Sequence, residues 1–126
     1  MGVVKFYTDG EKEENEYGSF PGSCKWAAYH YAAGCYDGSG EALVAWEDGT
    51  FSFHDMSHCS CNSAWDDLSE YNRKRLTWDQ VVALIGKDDN GKEPLWNEEH
   101  WAGMWRAAAM AAREQGLKWP EAAVQP

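Results

Sequence analysis

The spacing of apolar positions changes along this chain, and each spacing predicts a different element. Thr50 to Asp55 alternates Phe51 and Phe53 with Ser52 and His54, the period of a half-buried strand. Glu41 to Glu47 carries Leu43, Val44 and Trp46, and Asp48-Gly49 lies between the two runs. That dipeptide supplies positive φ in a two-residue turn, so the pair predicts a β-hairpin. Val3 to Tyr7 is short, apolar and β-prone, and reads as an edge strand. Trp26 to Tyr31 reads as a further strand, although Ala27, Ala28, Ala32 and Ala33 leave a helix open. Gly18 to Gly22 reads as a loop and Asp37 to Gly40 as a turn.

In the second half the period lengthens. Thr77 is an N-cap and Gln80 completes a capping box, with Leu76 and Val81 placed as a hydrophobic staple around it. Trp78, Val81, Val82 and Ile85 then share one helical face, and Gly86 is positioned to end it. A longer helix is expected to start at Asn97, with Glu98 and Glu99 near its positive end and Arg113 near its negative end. Trp101, Met104, Trp105, Ala108 and Ala112 form its apolar stripe, and Gly116 and Pro120 close it. The expected architecture is α+β: a small antiparallel sheet of three or four strands covered by C-terminal helices. At 126 residues the chain has room for one core, so residues 1–126 are expected to form a single domain.

Charge changes that picture. The formal net charge is −10, and residues 1–70 carry all of it, with thirteen acids against Lys5, Lys12 and Lys25. Residues 71–126 sum to zero. Within the acidic part, Asp9, Glu11, Glu13, Glu14 and Glu16 fall in one short run. Such a run is commonly a solvated loop that aids solubility. The one-sidedness favours instead an acidic surface shaped for a cationic groove, because solubility does not require it. The same charge argues against direct nucleic-acid binding and against an anionic membrane surface. The chain also lacks a secretory signal pattern and an apolar stretch of membrane-spanning length. Cytoplasm, where the four cysteines stay reduced, is the expected compartment.

Candidate chemistry concentrates in His54-Asp-Met-Ser-His58-Cys59-Ser-Cys61. His54, His58, Cys59 and Cys61 are the ligand types zinc takes, and Cys24 and Cys35 are within reach of joining them. Cys-x-Cys is a weaker zinc signal than two separated Cys-x2-Cys pairs, so reduced, packed cysteines are expected and no cofactor is assigned. A Cys59 or Cys61 nucleophile needs a histidine within hydrogen-bond reach, which adjacency to His58 does not supply. No phosphate-binding, dinucleotide or metallohydrolase motif is present, and a non-enzyme is expected.

The stretch Asp37-Gly-Ser-Gly-Glu-Ala-Leu-Val-Ala-Trp-Glu-Asp-Gly-Thr-Phe-Ser-Phe-His-Asp-Met-Ser-His-Cys-Ser-Cys61 resembles small phage and mobile-element proteins. In these a Gly-rich turn leads into a hairpin and then a His-Cys-Ser-Cys stretch. The likeness covers about residues 25–70, and Asn62-Ser63 stands where such proteins often carry Tyr-Gly. Small size, acidity and the missing enzyme motifs together resemble anti-CRISPR and related anti-defence inhibitors. The resemblance implies a stoichiometric inhibitor in the host bacterial cytoplasm, bound to a CRISPR effector or another defence protein with a basic groove. Asp9, Glu11, Glu13, Glu14, Glu16, Glu47, Asp48, Asp66, Asp67 and Glu70 are the expected acidic contacts. A zinc-stabilised binding module and a Cys-dependent enzyme acting on a defence protein are the alternatives. An exposed edge strand would also let two copies pair as a homodimer.

Overall fold

A computed structural model describes residues 4–7, 24–33, 38–58, 74–87 and 99–120, with the backbone alone at 32–33, 38–39, 55–58 and 99–100. The strands are β1 (Val4–Tyr7), β2 (Cys24–Ala33), β3 (Gly38–Trp46) and β4 (Phe51–His58), and the helices α1 (Trp78–Ala83) and α2 (Glu99–Gln115). The four strands form one sheet in the order β1-β2-β3-β4. With a helix laid on it, the fold is α+β, as the change of period predicts.

The sheet is mixed rather than antiparallel. β1 runs parallel to β2, pairing Val4 with Trp26 and Tyr7 with Tyr29, while β2-β3 and β3-β4 are antiparallel. Strand direction depends on a crossover between distant segments, which no local period records. The Trp26 to Tyr31 run is strand, not helix. Its lack of alternation has a physical cause: Trp26, Ala28 and His30 lie toward α2, while Ala27, Tyr29 and Tyr31 are buried on the opposite face. A strand buried on both faces has no polar side to show. Gly38 to Gly40 belongs to β3 rather than to a turn. Gly40 has a packing reason to lack a side chain, because a Cβ there would stand 2.1 Å from the His30 carbonyl oxygen.

The hairpin is present, but its turn differs from the expected two-residue form. Trp46 N donates to Thr50 O at 2.9 Å and Gly49 N donates to Trp46 O at 3.0 Å, enclosing Glu47, Asp48 and Gly49 as a three-residue loop. Only Gly49 takes positive φ, +88°, and Asp48 does not. A type I′ turn needs positive φ at both central residues, so the chain adopts a tight turn closed by a glycine bulge instead.

Helix boundaries follow local chemistry. Thr77 Oγ1 accepts from Gln80 N at 3.2 Å, and Thr77 N donates to Gln80 Oε1 at 2.8 Å, so the capping box forms. Leu76 and Val81 are buried in the same cluster, and Gly86 takes φ +81° beyond the helix. Leu84, rather than the expected Val82, packs on that cluster beside Trp78 and Ile85. At the end of α2, Gly116 takes φ +71° and Leu117 N donates to Ala112 O at 2.8 Å, a Schellman closure. The proposed start at Asn97 lies outside the described residues.

α2 lies against β1, β2 and β3. The shared core holds Phe6, Trp26, Leu43, Phe51, Phe53, Met104 and Trp105. Small residues bring the helix close. Ala107, Ala108 and Ala111 face the sheet, and Gly103 sits directly over His30, where a Cβ would approach the ring to 2.3 Å. Two indole N–H groups tie the helical segments together: Trp105 Nε1 donates to Lys87 O at 3.0 Å and Trp78 Nε1 to Lys118 O at 2.8 Å.

Candidate functional site

Two of the expected acidic contacts, Glu47 and Asp48, fall on described residues, and the hairpin presents both at its tip, exposed. Asp9, Glu11, Glu13, Glu14, Glu16, Asp66, Asp67 and Glu70 lie outside the described residues.

The two visible acids differ in what surrounds them. Asp48 Oδ1 accepts from Thr50 N at 2.9 Å and from Thr50 Oγ1 at 2.6 Å, which folds the carboxylate back over the turn. Arg75 Nη1 donates to Thr50 Oγ1 at 3.0 Å and lies 3.8 Å from Asp48 Oδ2. Its guanidinium carbon stands 4.0 Å from the centroid of Trp46. The Thr50 hydroxyl, then the Thr50 amide, hold the Asp48 carboxyl below the usual carboxylate range, with Arg75 adding a smaller pull. Asp48 is thereby ionised and fixed in place, and Glu47 beside it extends the negative surface.

Arg75, Thr50 and Ser52 were not singled out by sequence reasoning. Arg75 belongs to the net-neutral half by position, yet the structure lays it on the acidic hairpin. The antiparallel bridge between Phe51 and Leu76 brings it there, with N–H···O distances of 2.9 and 2.8 Å. Only long-range pairing reveals this. Thr50 carried a weak local signal, since Asp followed two residues later by Thr is the spacing of a side-chain-closed turn.

The histidine and cysteine candidates divide. His54 is buried on the face of the sheet opposite α2, where Ser52 Oγ lies 2.8 Å from its Nε2 and accepts from Trp46 Nε1 at 2.8 Å. Trp46, Ser52 and His54 thus form a buried polar chain, and the His54 ring packs 6.2 Å from Trp46. His58 closes β4, and Cys35, Cys59 and Cys61 lie outside the described residues. Among the described residues no group of three or more His, Cys, Asp or Glu side chains is arranged to hold a metal ion. Cys24 is a buried free thiol on the same face as Trp46, and burial pushes it up to about 12 against a weaker opposing pull from Arg75. A thiol held protonated in this way is a poor nucleophile at neutral pH.

No protein-family model, curated protein or solved structure matches the chain. No helix among the described residues is long and apolar enough to cross a membrane.

Proposed function

We propose that this protein is a non-catalytic binding protein whose acidic residues occupy a cationic groove on a partner. The partner we favour is a bacterial defence complex, foremost a CRISPR effector, in the cytoplasm of the host bacterium. The observation that carries the reading is the confinement of the whole −10 charge to residues 1–70. Support comes from the hairpin tip, where Glu47 and Asp48 stand in solvent, the latter held ionised by Thr50. It comes also from Cys24, Ser52 and His54, which, among the described residues, are buried in packing and hydrogen bonds. Nucleic-acid-binding proteins keep lysine and arginine in open grooves for phosphates. A folded carboxylate surface competes for the same charges, with attraction hastening encounter and packing slowing release.

The test is capture of effector complexes on the tagged protein, eluted in rising salt, beside a variant with Asp9, Glu11, Glu13, Glu14, Glu16 and Glu47 reversed to lysine. Capture that salt releases and charge reversal abolishes is the expected outcome. Equal capture by the reversed variant would overturn acidic competition, and recovery of no effector would remove the proposed partner.

A further inference from the structure

The buried polar chain on the face opposite α2 runs out to the hairpin tip. His54 Nε2 lies 2.8 Å from Ser52 Oγ, which accepts from Trp46 Nε1 at 2.8 Å. The Arg75 guanidinium is seated on the Trp46 ring, 4.0 Å from its centroid. Arg75 Nη1 in turn donates to Thr50 Oγ1 at 3.0 Å and lies 3.8 Å from Asp48 Oδ2. A histidine only 3% exposed is thus linked, contact by contact, to a carboxylate in solvent.

The proton on this histidine is placed by its neighbours. Ser52 is fully buried, so its hydroxyl proton needs an acceptor. An indole N–H only donates, so of the two side chains bonded to Ser52, His54 alone can accept. Ser52 Oγ–H therefore donates to Nε2, and neutral His54 carries its proton on Nδ1. Adding a proton to Nε2 reverses that bond. Ser52 Oγ then faces two donors, and its own proton loses its acceptor. A second cation also appears beside the indole that seats Arg75, since the His54 ring packs 6.2 Å from Trp46. Like charges repel strongly where water is excluded.

Other groups on this face hold their charge. β1 contributes Lys5 and Tyr7, β2 contributes Cys24, Tyr29 and Tyr31, and Arg75 approaches from the segment before α1. Lysine and arginine stay cationic and tyrosine neutral over the range in which histidine titrates. Burial pushes Cys24 up to about 12, and Thr50 holds Asp48 below the usual carboxylate range. Among the described groups facing the chain from Ser52 to Asp48, His54 alone changes charge between about pH 8 and pH 5.

We propose that His54 is an acid-sensitive latch for the hairpin tip: protonation at Nε2 breaks the Ser52–Trp46 connection and releases Arg75 from Trp46 and Asp48. Its bearing on partner binding rests on the acidic-contact reading above, but the test uses the protein alone, so either can fail without the other. The test is an NMR titration of the full chain from about pH 8 to about pH 5, following the His54 imidazole, the Trp46 indole N–H and the Arg75 side-chain protons. All three are expected to share one midpoint, and the Arg75 protons should lose the upfield shift that stacking on Trp46 imposes. The Trp105 indole N–H, bonded to Lys87 O on the helix side, should stay still. His54→Gln offers Ser52 an acceptor that does not titrate, so it should abolish the movement of Trp46 and Arg75. Should that variant fail to fold, the wild-type midpoints decide. A titrating His54 beside unmoved Trp46 and Arg75 signals would overturn the latch. So would a His54 that stays neutral throughout, the same movement in His54→Gln, or a shift of Trp105 in step with Trp46.

Discussion

The two faces of the sheet are both buried, but by different means. Toward α2 the contacts are almost wholly apolar, and the helix gains its close approach from Gly103 and a run of alanines. On the other face, tyrosines, Trp46, Ser52 and His54 fill the space, and hydrogen bonds accompany the packing. Apolar packing tolerates rearrangement if volume is conserved, whereas a buried polar chain is satisfied in few arrangements. The helix face is thus held by apolar packing, and the opposite face adds the specificity of side-chain placement that a hydrogen-bonded chain imposes. Histidines show the contrast most directly. His30 is shut beneath a helix glycine, while His54 is held by a hydroxyl on the far side of the same sheet.

Breaking the helix face should cost most. Trp105→Ala, which removes a fully buried indole, is expected to lose about 3–5 kcal/mol in urea unfolding. Gly103→Ala should cost about 1–3 kcal/mol through overlap with the His30 ring, and a double-mutant cycle with His30→Ala should show strong coupling. On the opposite face, Ser52→Ala removes the acceptor of the buried Trp46 N–H and should cost about 1–3 kcal/mol by the same measurement. If Ser52→Ala proves neutral, the distinction between the faces fails.

A pH series sharpens the comparison further. Folding raises the Cys24 thiol from about 9.0 to about 12, so the folded state is favoured by it below pH 9. That contribution should be lost as pH rises from 9 toward 12, since the unfolded chain ionises first. Native protein should leave Cys24 unmodified by a thiol reagent at neutral pH, with labelling appearing only on unfolding, as read by peptide mass spectrometry. The smallest effect belongs to Asp48→Asn at the exposed tip. Because the folded state holds this carboxyl below its usual range, its contribution is present above that range and lost on acidification. The substitution should flatten the acid limb of the stability curve slightly and leave the neutral region nearly unchanged.

These contrasts also mark what was legible in the sequence. Thr77, Gln80 and Gly86 announced α1 because a cap is made by residues a few positions apart. The same holds for Gly116 at the end of α2. The hairpin was legible, but its loop length was not, since Asp-Gly fits both a two-residue turn and a glycine-closed three-residue one. Trp26 to Tyr31 concealed a doubly buried strand behind an unbroken apolar run. The parallel placement of β1 and the reach of Arg75 to Asp48 depend on pairing between remote segments. For the candidate site, exposure of Glu47 and Asp48 followed from the hairpin, whereas the Asp48–Thr50–Arg75 arrangement did not. The strand period already put Ser52 and His54 on one face, but their burial and the hydrogen bond between them depend on what packs over that face.

The paired indole ties between the helical segments have a dynamic consequence. Each segment's tryptophan donates to a carbonyl just beyond the end of the other, so lifting either one removes both partners at once. Local opening of α1 alone would leave the Trp105 N–H without its acceptor, and detachment of the residues after α2 would do the same to Trp78. Fraying that would ordinarily begin independently at two helix ends is thereby merged into one event, and the amide protons of α1 and of the last turns of α2 should exchange with solvent at a common free energy.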